Sequence, residues 1–282
     1  MLRSVRVLSY LSTLALALAA AGCDAGSSNV DSAGECKAGC SDVATRENNT
    51  CAANGEIKLG KYRVLNNLWG MNHTGVMGSQ CAWTHCSSSD PSNGIAWGTE
   101  YNWAGGPGGE VTSYTAAILG WHFSTIPADS GLPVQLSTHT PINCSWDFDL
   151  KQTTASTQNV AYDIWLSPDP APTGATRPTD EVMIWLFNSG GASPIGGTPV
   201  ATFSHSSGNW SLSEGVNGSW KVHSFIRTAT AECSDLDLND FFEFLQEKNF
   251  IEPTKYVIGI EAGTEVFSGA GTLTTTHFSC EI

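Results

Sequence analysis

The sequence predicts an all-β protein, a jelly-roll sandwich of two antiparallel sheets with one short helix. Three observations predict this class. Segments with a two-residue alternation and many β-branched or aromatic residues recur along the chain, clusters of Gly, Pro, Ser and Asn separate them, and a single stretch has helical periodicity. With 41% hydrophobic and only 14% charged residues, the chain of 282 residues is globular rather than disordered.

The first predicted element is an export signal over residues 1–22. Two arginines precede an apolar run of Leu and Ala that is too short to span a bilayer and is typical of a signal peptide. Small residues directly before Cys23 resemble a bacterial lipobox, so we expect cleavage before this cysteine and its lipidation; an ordinary secretory cleavage site nearby is the alternative. Residues 23–50 have almost no bulky apolar side chain and predict a flexible tether. The remainder, 51–282, fits one large β domain.

Nine strands and one helix are predicted within this domain. The helix begins after the capping residue Asp237, carries an apolar stripe at 3.6-residue spacing and is stopped at Pro253. The strands are predicted over residues 62–69, 95–103, 114–122, 160–166, 181–187, 198–203, 220–227, 256–265 and 271–278.

Nine cysteines in a chain with an export signal predict disulfides, because the compartment beyond the inner membrane is oxidising. Setting Cys23 aside leaves an even number. Cys81 and Cys86, with His85 between them, could hold a metal, but no second ligand pair lies at the spacing of a zinc finger. Disulfides are therefore favoured, and no metal or other cofactor is expected.

The net charge of −14 excludes two classes of partner. Nucleic acids and anionic membrane surfaces would repel such a chain. We therefore expect no nucleic-acid partner and contact with a membrane only through a lipid on Cys23. The protein is expected to be a monomer.

The predicted strand 181–187 carries a carboxylate on a mixed face. Alternation places Glu181, Met183 and Trp185 together, opposite the apolar residues of the same strand. A glutamate beside a methionine and a tryptophan is unusual on a solvated surface. It suits a groove in which aromatic rings stack on sugar rings.

The predicted strand 256–265 repeats the arrangement with Glu261 and Glu265 on one face. The same face carries small residues that leave space for something to approach the backbone, and one valine: Gly259, Gly263 and Val257. Two carboxyl groups on one concave face are what cleavage of a glycosidic bond requires, since one protonates the leaving oxygen while the other attacks or activates water. The alternative is that both strands simply present glutamates to solvent.

Five strings of this sequence, taken in order, resemble glycoside hydrolase family 12, the endoglucanases and xyloglucanases built on a β-jelly roll. They occupy residues 62–70, 159–163, 180–186, 194–196 and 263–269. The resemblance runs from about residue 51 to 278. It implies a concave sheet whose cleft binds a β-glucan.

Matched residue by residue, the resemblance implies the catalytic groups of a two-glutamate double displacement. Glu181, in Glu-Val-Met-Ile-Trp, matches the nucleophile, and Glu265, in Gly-Thr-Glu, matches the acid/base. Asp163 matches the carboxyl that hydrogen-bonds the nucleophile. The mechanism implied is hydrolysis with retention of configuration.

The resemblance also implies residues that bind substrate. Asn67 and Trp69 match the glycone side of the cleft, and Met183 and Trp185 match positions beside the nucleophile. Trp97 and Trp103 lie on a strand like the family's aromatic strand, and packing in the core is an equal alternative for both. Glu261 stands where a neutral residue is expected, and we predict that it accepts hydrogen bonds from sugar hydroxyls.

The resemblance implies one disulfide, between Cys51 and Cys81. The pairing of the other cysteines of the exported chain stays open: Cys36, Cys40, Cys86, Cys144, Cys233 and Cys280.

The favoured function is retaining endo-hydrolysis of a β-1,4-glucan, whether cellulose-like, mixed-linkage or xyloglucan. One alternative is a xylanase like those of family 11, and the Met-Ile-Trp string after Glu181 argues against it. Another is a catalytically inactive glycan-binding lipoprotein, and the presence of Glu181, Glu265 and Asp163 together argues against that. The preferred glucan and the membrane face that carries the anchor stay open.

The lipid anchor makes the first testable prediction. Wild-type protein should fractionate with membranes, and Cys23→Ser should be released into the soluble fraction because it lacks the acyl chains that hold the protein. Metabolic labelling with an alkyne fatty acid should mark the wild type alone. Equal solubility of the two proteins outside the cell would show that Cys23 carries no anchor.

Overall fold

The structure, a computed structural model, describes residues 45–85, 94–123, 125–126 and 129–282. The predicted signal peptide, the predicted lipidation site and the cysteines Cys36, Cys40 and Cys86 lie outside the described residues. Within the described ranges, no helix has the length and apolar composition needed to cross a membrane.

Most of the regular structure in the described chain is strand. In chain order they are β1 Glu47–Thr50, β2 Gly55–Leu59, β3 Tyr62–Asn66, β4 Met77–Thr84, β5 Ile95–Ala104, β6 Ser113–Gly120, β7 Val134–Gln135, β8 Asn143–Gln152, β9 Thr157–Ser167, β10 Asp180–Ser189, β11 Pro199–His205, β12 Gly208–Asn217, β13 Trp220–Arg227, β14 Cys233–Asp237 and β15 Tyr256–Glu281. The helix α1 spans Leu238–Glu247 between β14 and β15. As predicted, the side chain of Asp237 caps it by accepting from the backbone N–H of Asn239.

Two sheets share the long strand β15. Its first part, Tyr256–Val266, pairs with β6 and β9, and its second part, from Gly269, pairs with β5 and β8. One sheet, called here the cleft sheet, has the order β2-β3-β6-β15-β9-β10-β13-β12-β11, and β7 also pairs with β15. The other, the outer sheet, has the order β1-β4-β5-β15-β8-β14. Every pair is antiparallel except β10 with β13. The predicted jelly-roll class is confirmed.

The apolar core lies between the two sheets. From the cleft sheet, β10 contributes Val182, Ile184 and Leu186, each buried, as the alternation predicted. From the outer sheet come Trp146 and Phe278, whose rings pack edge to face at 6.3 Å between centroids. The opposite face of β10, with Glu181, is thereby turned away from the core.

One β-bulge corrects the predicted faces of the last strand. The register between β15 and β9 shifts between Val257 and Gly259, so the extra residue reverses the alternation before it. Val257 consequently packs in the core, while Ile258 packs with Trp121 and Trp165 on the cleft side. Strict alternation from Glu261 predicts the reverse, with Val257 on the cleft side and Ile258 in the core.

The glycines on the cleft face of β15 leave space for a close approach to the backbone, as predicted, and the approaching group is the neighbouring strand. A Cβ atom at Gly259 would lie 2.1 Å from the carbonyl oxygen of Trp121, and one at Gly263 would lie 2.3 Å from that of Thr115. Both oxygens belong to β6 or the residue directly after it. The glycines therefore permit close pairing of β15 with β6, and no ligand is needed to explain them.

The structure moves the start of the folded domain and adds strands that the alternation did not reveal. β1 lies inside the predicted tether 23–50 and pairs with β4. The alternation missed it because its polar side chains occupy a sheet edge and show no apolar period. The predicted strands 256–265 and 271–278 are one continuous strand, β15. Besides β1, the strands missed entirely are β2, β4, β7, β8, β12 and β14.

Disulfides join elements within the outer sheet. Cys51, which follows β1, is bonded to Cys81 on β4, so this prediction is confirmed and the alternative of a metal at Cys81 is wrong. Cys144 on β8 is bonded to Cys280 on β15, directly opposite in register. Cys233 is disulfide-bonded as well.

The two disulfides should contribute unequally to stability. They close loops of 30 and 136 residues, and the entropy removed from the unfolded chain grows with loop length. We expect the double variant Cys51→Ala/Cys81→Ala to lower the free energy of unfolding by about 4 kcal/mol, and Cys144→Ala/Cys280→Ala by about 5 kcal/mol. Denaturant unfolding measures both. A larger loss from the first variant would contradict the loop-entropy argument.

Candidate active site

A cleft of about 560 Å³ lies on the exposed face of the cleft sheet. Its floor comes from neighbouring strands β3, β6, β15, β9, β10 and β13, so residues far apart in sequence meet there. The lining residues are Asn54, Glu56, Arg63, Leu65, Asn67, Trp69, Tyr114, His122, Phe123, Thr125, Asp163, Trp165, Glu181, Asn217, Trp220, Glu261 and Glu265. Three of these are the carboxyl groups predicted to be catalytic.

Glu181 lies near the start of β10 with its side chain almost fully buried. The indole Nε1–H of Trp220, at the start of the adjacent strand β13, donates to its Oε2 at 2.6 Å. Burial, with a smaller contribution from the nearby charge of Glu265, raises the pKa of Glu181 to about 8, although the bond from Trp220 opposes the rise. The donor therefore favours the ionised carboxylate.

Glu265 lies on β15 and is held by Asn159 of β9 through two hydrogen bonds. The side-chain amide of Asn159 donates to Oε2 of Glu265 at 2.5 Å, and its carbonyl oxygen accepts from the backbone N–H of Glu265 at 3.2 Å. Burial raises the pKa of Glu265 to about 7. The cause is loss of water, and the bond from Asn159 opposes the rise.

Asp163 lies on β9 between the other carboxyls, opposite Met183 on β10 and Glu261 on β15. Burial raises its pKa well above the ordinary value, and the charges of Glu181, Glu261 and Glu265 add to the effect, so we expect this carboxyl to be protonated. Its Oδ1 is buried and has no hydrogen-bond partner among the described residues. The hydrogen bond to Glu181 that the resemblance implies is not formed, and the donor to Glu181 is Trp220.

A buried ionic network lies beneath the nucleophile candidate. His223 on β13 contacts Asp180 at 3.1 Å through Nε2 and Glu214 at 2.8 Å through Nδ1, and Lys255 contacts Asp180 at 2.5 Å. Burial would lower the pKa of His223, but both carboxylates raise it above its ordinary value. Its charge lowers the pKa of the adjacent Glu181.

Four aromatic rings form a wall beside Glu181. Trp165 packs edge to face against Trp220 at 5.6 Å and against Trp121 at 6.2 Å, and Phe123 lies 5.2 Å from Trp165. Because Trp165 and Trp220 both line the cleft, this wall offers apolar ring surface next to the carboxyls.

The structure separates the predicted binding residues into two groups. Asn67 and Trp69 line the cleft, and Trp69 is 52% exposed, as a sugar platform requires. Met183 and Trp185 share the face of Glu181 as predicted, but they are buried in an apolar cluster beside the cleft and do not line it.

The cleft contact predicted for Trp97 and Trp103 is wrong. Both lie on the β5 part of the outer sheet. Trp97 is in the core between the sheets, and Trp103 packs with Leu68 and donates its indole N–H to Gln80. Alternation shows which residues of β5 share a face, but it does not show to which sheet the strand belongs.

Several functional residues were missed at the sequence level. Trp165 shares the strand parity of Asp163, a signal that could have placed it in the cleft. Trp220 and His122 reach the carboxyls through long-range packing, for which no local pattern exists. Within the described residues, no group of three or more His, Cys, Asp or Glu side chains is arranged to hold a metal ion.

Comparison with known proteins decides the family. The sequence model described as glycosyl hydrolase family 12 matches residues 60–282, most of the chain. The chain belongs to glycosyl hydrolase family 12. It is therefore a glycoside hydrolase, as predicted, and the family 11 alternative is excluded.

Individual family 12 proteins support the assignment. The chain is 36% identical over 245 residues to the probable xyloglucan-specific endo-beta-1,4-glucanase A of Aspergillus terreus, covering 84% of this chain and 89% of that protein. Among solved structures, the family 12 xyloglucanase from Bacillus licheniformis superposes with a TM-score of 0.73 at 31% identity, covering 83% of this chain and 99% of that one. Endoglucanase cel12A from Rhodothermus marinus gives 0.70 at 27% identity, with coverages of 83% and 98%.

The contact between Trp220 and Glu181 makes a prediction that needs no substrate. Trp220→Phe keeps an aromatic side chain but removes the indole N–H, so the pKa of Glu181 in this family 12 protein should rise by roughly one unit. A ¹³C NMR titration of the glutamate carboxyls measures it. Trp210→Phe is the matched control, since the indole nitrogen of Trp210 is buried in the core without a partner among the described residues. Equal titration of Glu181 in both variants would contradict the assigned role.

Proposed function

We propose that this family 12 protein is a retaining endo-hydrolase of β-1,4-glucan backbones. The observation that carries the proposal is the pair of cleft carboxyls, Glu181 and Glu265, each with its own amide or indole donor. They lie on strands that flank β9, with Asp163 on β9 between them. A cleft lined by tryptophan and open to solvent at Trp69 suits a polymer that binds along its length.

In the first step, Glu265 donates its proton to the glycosidic oxygen while the carboxylate of Glu181 attacks the anomeric carbon. The bond from that carbon to the leaving oxygen breaks, and an ester between the sugar and Glu181 forms. In the second step, Glu265, now a carboxylate, takes a proton from water as the water displaces Glu181. Each step inverts the anomeric carbon, so the product has the β configuration of the substrate.

The mechanism needs one particular distribution of protons. Glu181 must be ionised while Glu265 is protonated, although burial raises the pKa of both, to about 8 and about 7. The bond from Trp220 and the charge of His223 favour the ionised Glu181. A protonated Asp163 adds no charge beside the nucleophile and offers an O–H that can stabilise it when ionised.

This distribution fixes how the two sides of the pH profile are interpreted. At pH values below both pKa values, the productive form arises by loss of one proton from Glu181, so kcat/KM there is proportional to the acid dissociation constant of Glu181. At pH values above both, the productive form is lost as Glu265 gives up its proton. The acidic side therefore reports Glu181 and the basic side reports Glu265.

The names of the relatives favour xyloglucan as the substrate. Curated relatives from Aspergillus terreus and Emericella nidulans, at 36% and 33% identity, are named xyloglucan-specific, and the matched structure from Bacillus licheniformis is that of a xyloglucanase. We propose that the cleft accepts a branched glucan, with unbranched cellulose-like and mixed-linkage glucans as the alternatives that a substrate panel distinguishes.

We propose that the enzyme works outside the inner membrane as a monomer, tethered through a lipid on Cys23. Disulfides persist in oxidising compartments, so the bonds Cys51–Cys81 and Cys144–Cys280 support export. An extracellular location also agrees with a polymeric substrate that cannot enter the cell.

Stereochemistry tests the mechanism. Proton NMR during early hydrolysis of a soluble β-glucan should show the β-anomer first. Glu181→Gln and Glu265→Gln should each reduce kcat by roughly 10³-fold or more, because each removes a group that acts at the reacting atoms, and Asp163→Asn should cost substantially less. The α-anomer appearing first would falsify the assignment of Glu181 as nucleophile.

A panel of substrates separates the competing functions. Carboxymethylcellulose, barley glucan, xyloglucan and xylan are compared with the wild-type protein under identical conditions. With Glu265→Ala and an aryl β-glycoside whose leaving group departs without protonation, added azide should restore turnover and yield a β-glycosyl azide, since azide can replace water at the glycosyl-enzyme without base assistance. Binding of all four polymers without hydrolysis would identify the inactive glycan-binding protein instead.

A further inference from the structure

A histidine–glutamate pair occupies the floor of the cleft beside the catalytic groups. Glu261 lies on β15, directly opposite Asp163, and its side chain is 1% exposed. Its Oε1 contacts Nδ1 of His122 at 2.7 Å and accepts from Nε1–H of Trp165 at 2.8 Å. This oxygen is therefore engaged by the protein, whereas the sequence had suggested an acceptor for sugar hydroxyls.

The pair connects to the nucleophile through two indoles. Trp165, held by Glu261 at its nitrogen, packs edge to face on Trp220 at 5.6 Å between ring centroids. Trp220 in turn donates to Glu181 at 2.6 Å. The orientation of the donor to Glu181 thus depends on a ring that Glu261 fixes.

The charged groups around His122 leave Glu261 as its counterion. Arg63 on β3 and Glu56 on β2 both influence His122, but they lie 3.5 Å from each other and form their own ion pair. Burial alone would lower the pKa of His122, yet the charge and the hydrogen bond of Glu261 raise it above its ordinary value. The imidazolium is consequently the partner of one carboxylate, that of Glu261.

The charged groups around Glu181 come from three elements. Glu265 and Glu261 on β15 act against its ionisation, and His223 on β13 favours it. The charge of Glu181 in turn raises the pKa of Asp163 on β9. Tyr114 on β6 remains neutral, because burial and these carboxylates raise its pKa well above the ordinary value. A free anion at Glu261 would therefore act directly against an ionised nucleophile.

We propose that His122 and Glu261 are positioning residues for Glu181: their ion pair fixes Trp165, which packs on the indole that donates to the nucleophile, and the charge of His122 offsets that of Glu261. The inference rests on the proposed role of Glu181 as nucleophile. It accounts for a glutamate at a position where the sequence resemblance led us to expect a neutral residue. The two residues act together, since each charge is the counterion of the other.

The test measures the pKa of Glu181 in the unliganded full chain by ¹³C NMR titration of the glutamate carboxyls. His122→Gln retains an N–H donor but removes the positive charge, so the pKa of Glu181 should rise by roughly 0.5–1 unit. Glu261→Gln removes the negative charge, so it should fall. In the Glu261→Gln background, burial leaves His122 uncharged near neutral pH, and adding His122→Gln should then change little.

The hydrolytic readout follows from the same shift. His122→Gln should lower kcat/KM on the acidic side of the profile by roughly three- to tenfold and leave the basic side, which reports Glu265, nearly unchanged. His139→Gln is the matched control: His139 contacts Glu243 at 2.9 Å in an exposed pair that does not line the cleft. It should change neither the titration nor the profile.

Two results would overturn the inference. One is an unchanged pKa of Glu181 in folded His122→Gln; the other is an equal rise in the wild-type and Glu261→Gln backgrounds, which would mean that the two residues act independently. Should His122→Gln fail to fold, an unchanged or raised pKa of Glu181 in Glu261→Gln would overturn it equally. Absence of hydrolysis by the wild type would overturn the proposed function instead, and the titration would still decide the role of the pair.

Discussion

Four carboxyl groups line one face of one sheet: Asp163, Glu181 and Glu261 are buried, and Glu265 is half-buried. A carboxylate taken out of water costs several kcal/mol unless donors or a counterion replace the lost hydration. The cleft provides a different replacement for each. Trp220 and Asn159 each donate one short bond, His122 contacts Glu261 as a partner for its charge, and burial raises the pKa of Asp163 well above its ordinary value, which favours its uncharged form.

The fold brings these replacements together because a strand has two independent faces. On β10 the residues facing the core hold the sheets together, and the residues facing the cleft carry the chemistry, so a register slip of one residue would exchange the two sets. The donors come from neighbouring strands. β9 supplies Asn159 and Trp165, and β13, which runs parallel to β10, supplies Trp220 and the buried cation His223.

The sequence contained the faces of the strands but little about their partners. Period-2 alternation correctly assigned β10 to core and cleft, and the capping residue Asp237 marked the helix. It failed at Val257 and Ile258, where a bulge inserts one residue. It also failed to show that Trp97 belongs to the outer sheet, and it gave no sign that Trp220 reaches Glu181, because strand pairing is set by long-range packing. The strings that resemble glycoside hydrolase family 12 supplied the catalytic candidates. Only the folded sheet showed which groups shift their pKa values.

The position of β15 determines the order in which the molecule can assemble. This strand follows every other strand in the chain and occupies the interior of both sheets. Before it is available, the cleft sheet exists only as two separate blocks, β2-β3-β6 and β9-β10-β13-β12-β11, and the outer sheet as β1-β4-β5 and β8-β14. Folding must therefore be completed by one late event with many distant contacts, a topology that is slow and leaves four unpaired strand edges exposed until the end. Glu261 and Glu265 arrive with that strand, so the protein acquires its catalytic constellation and its cooperative stability in the same step.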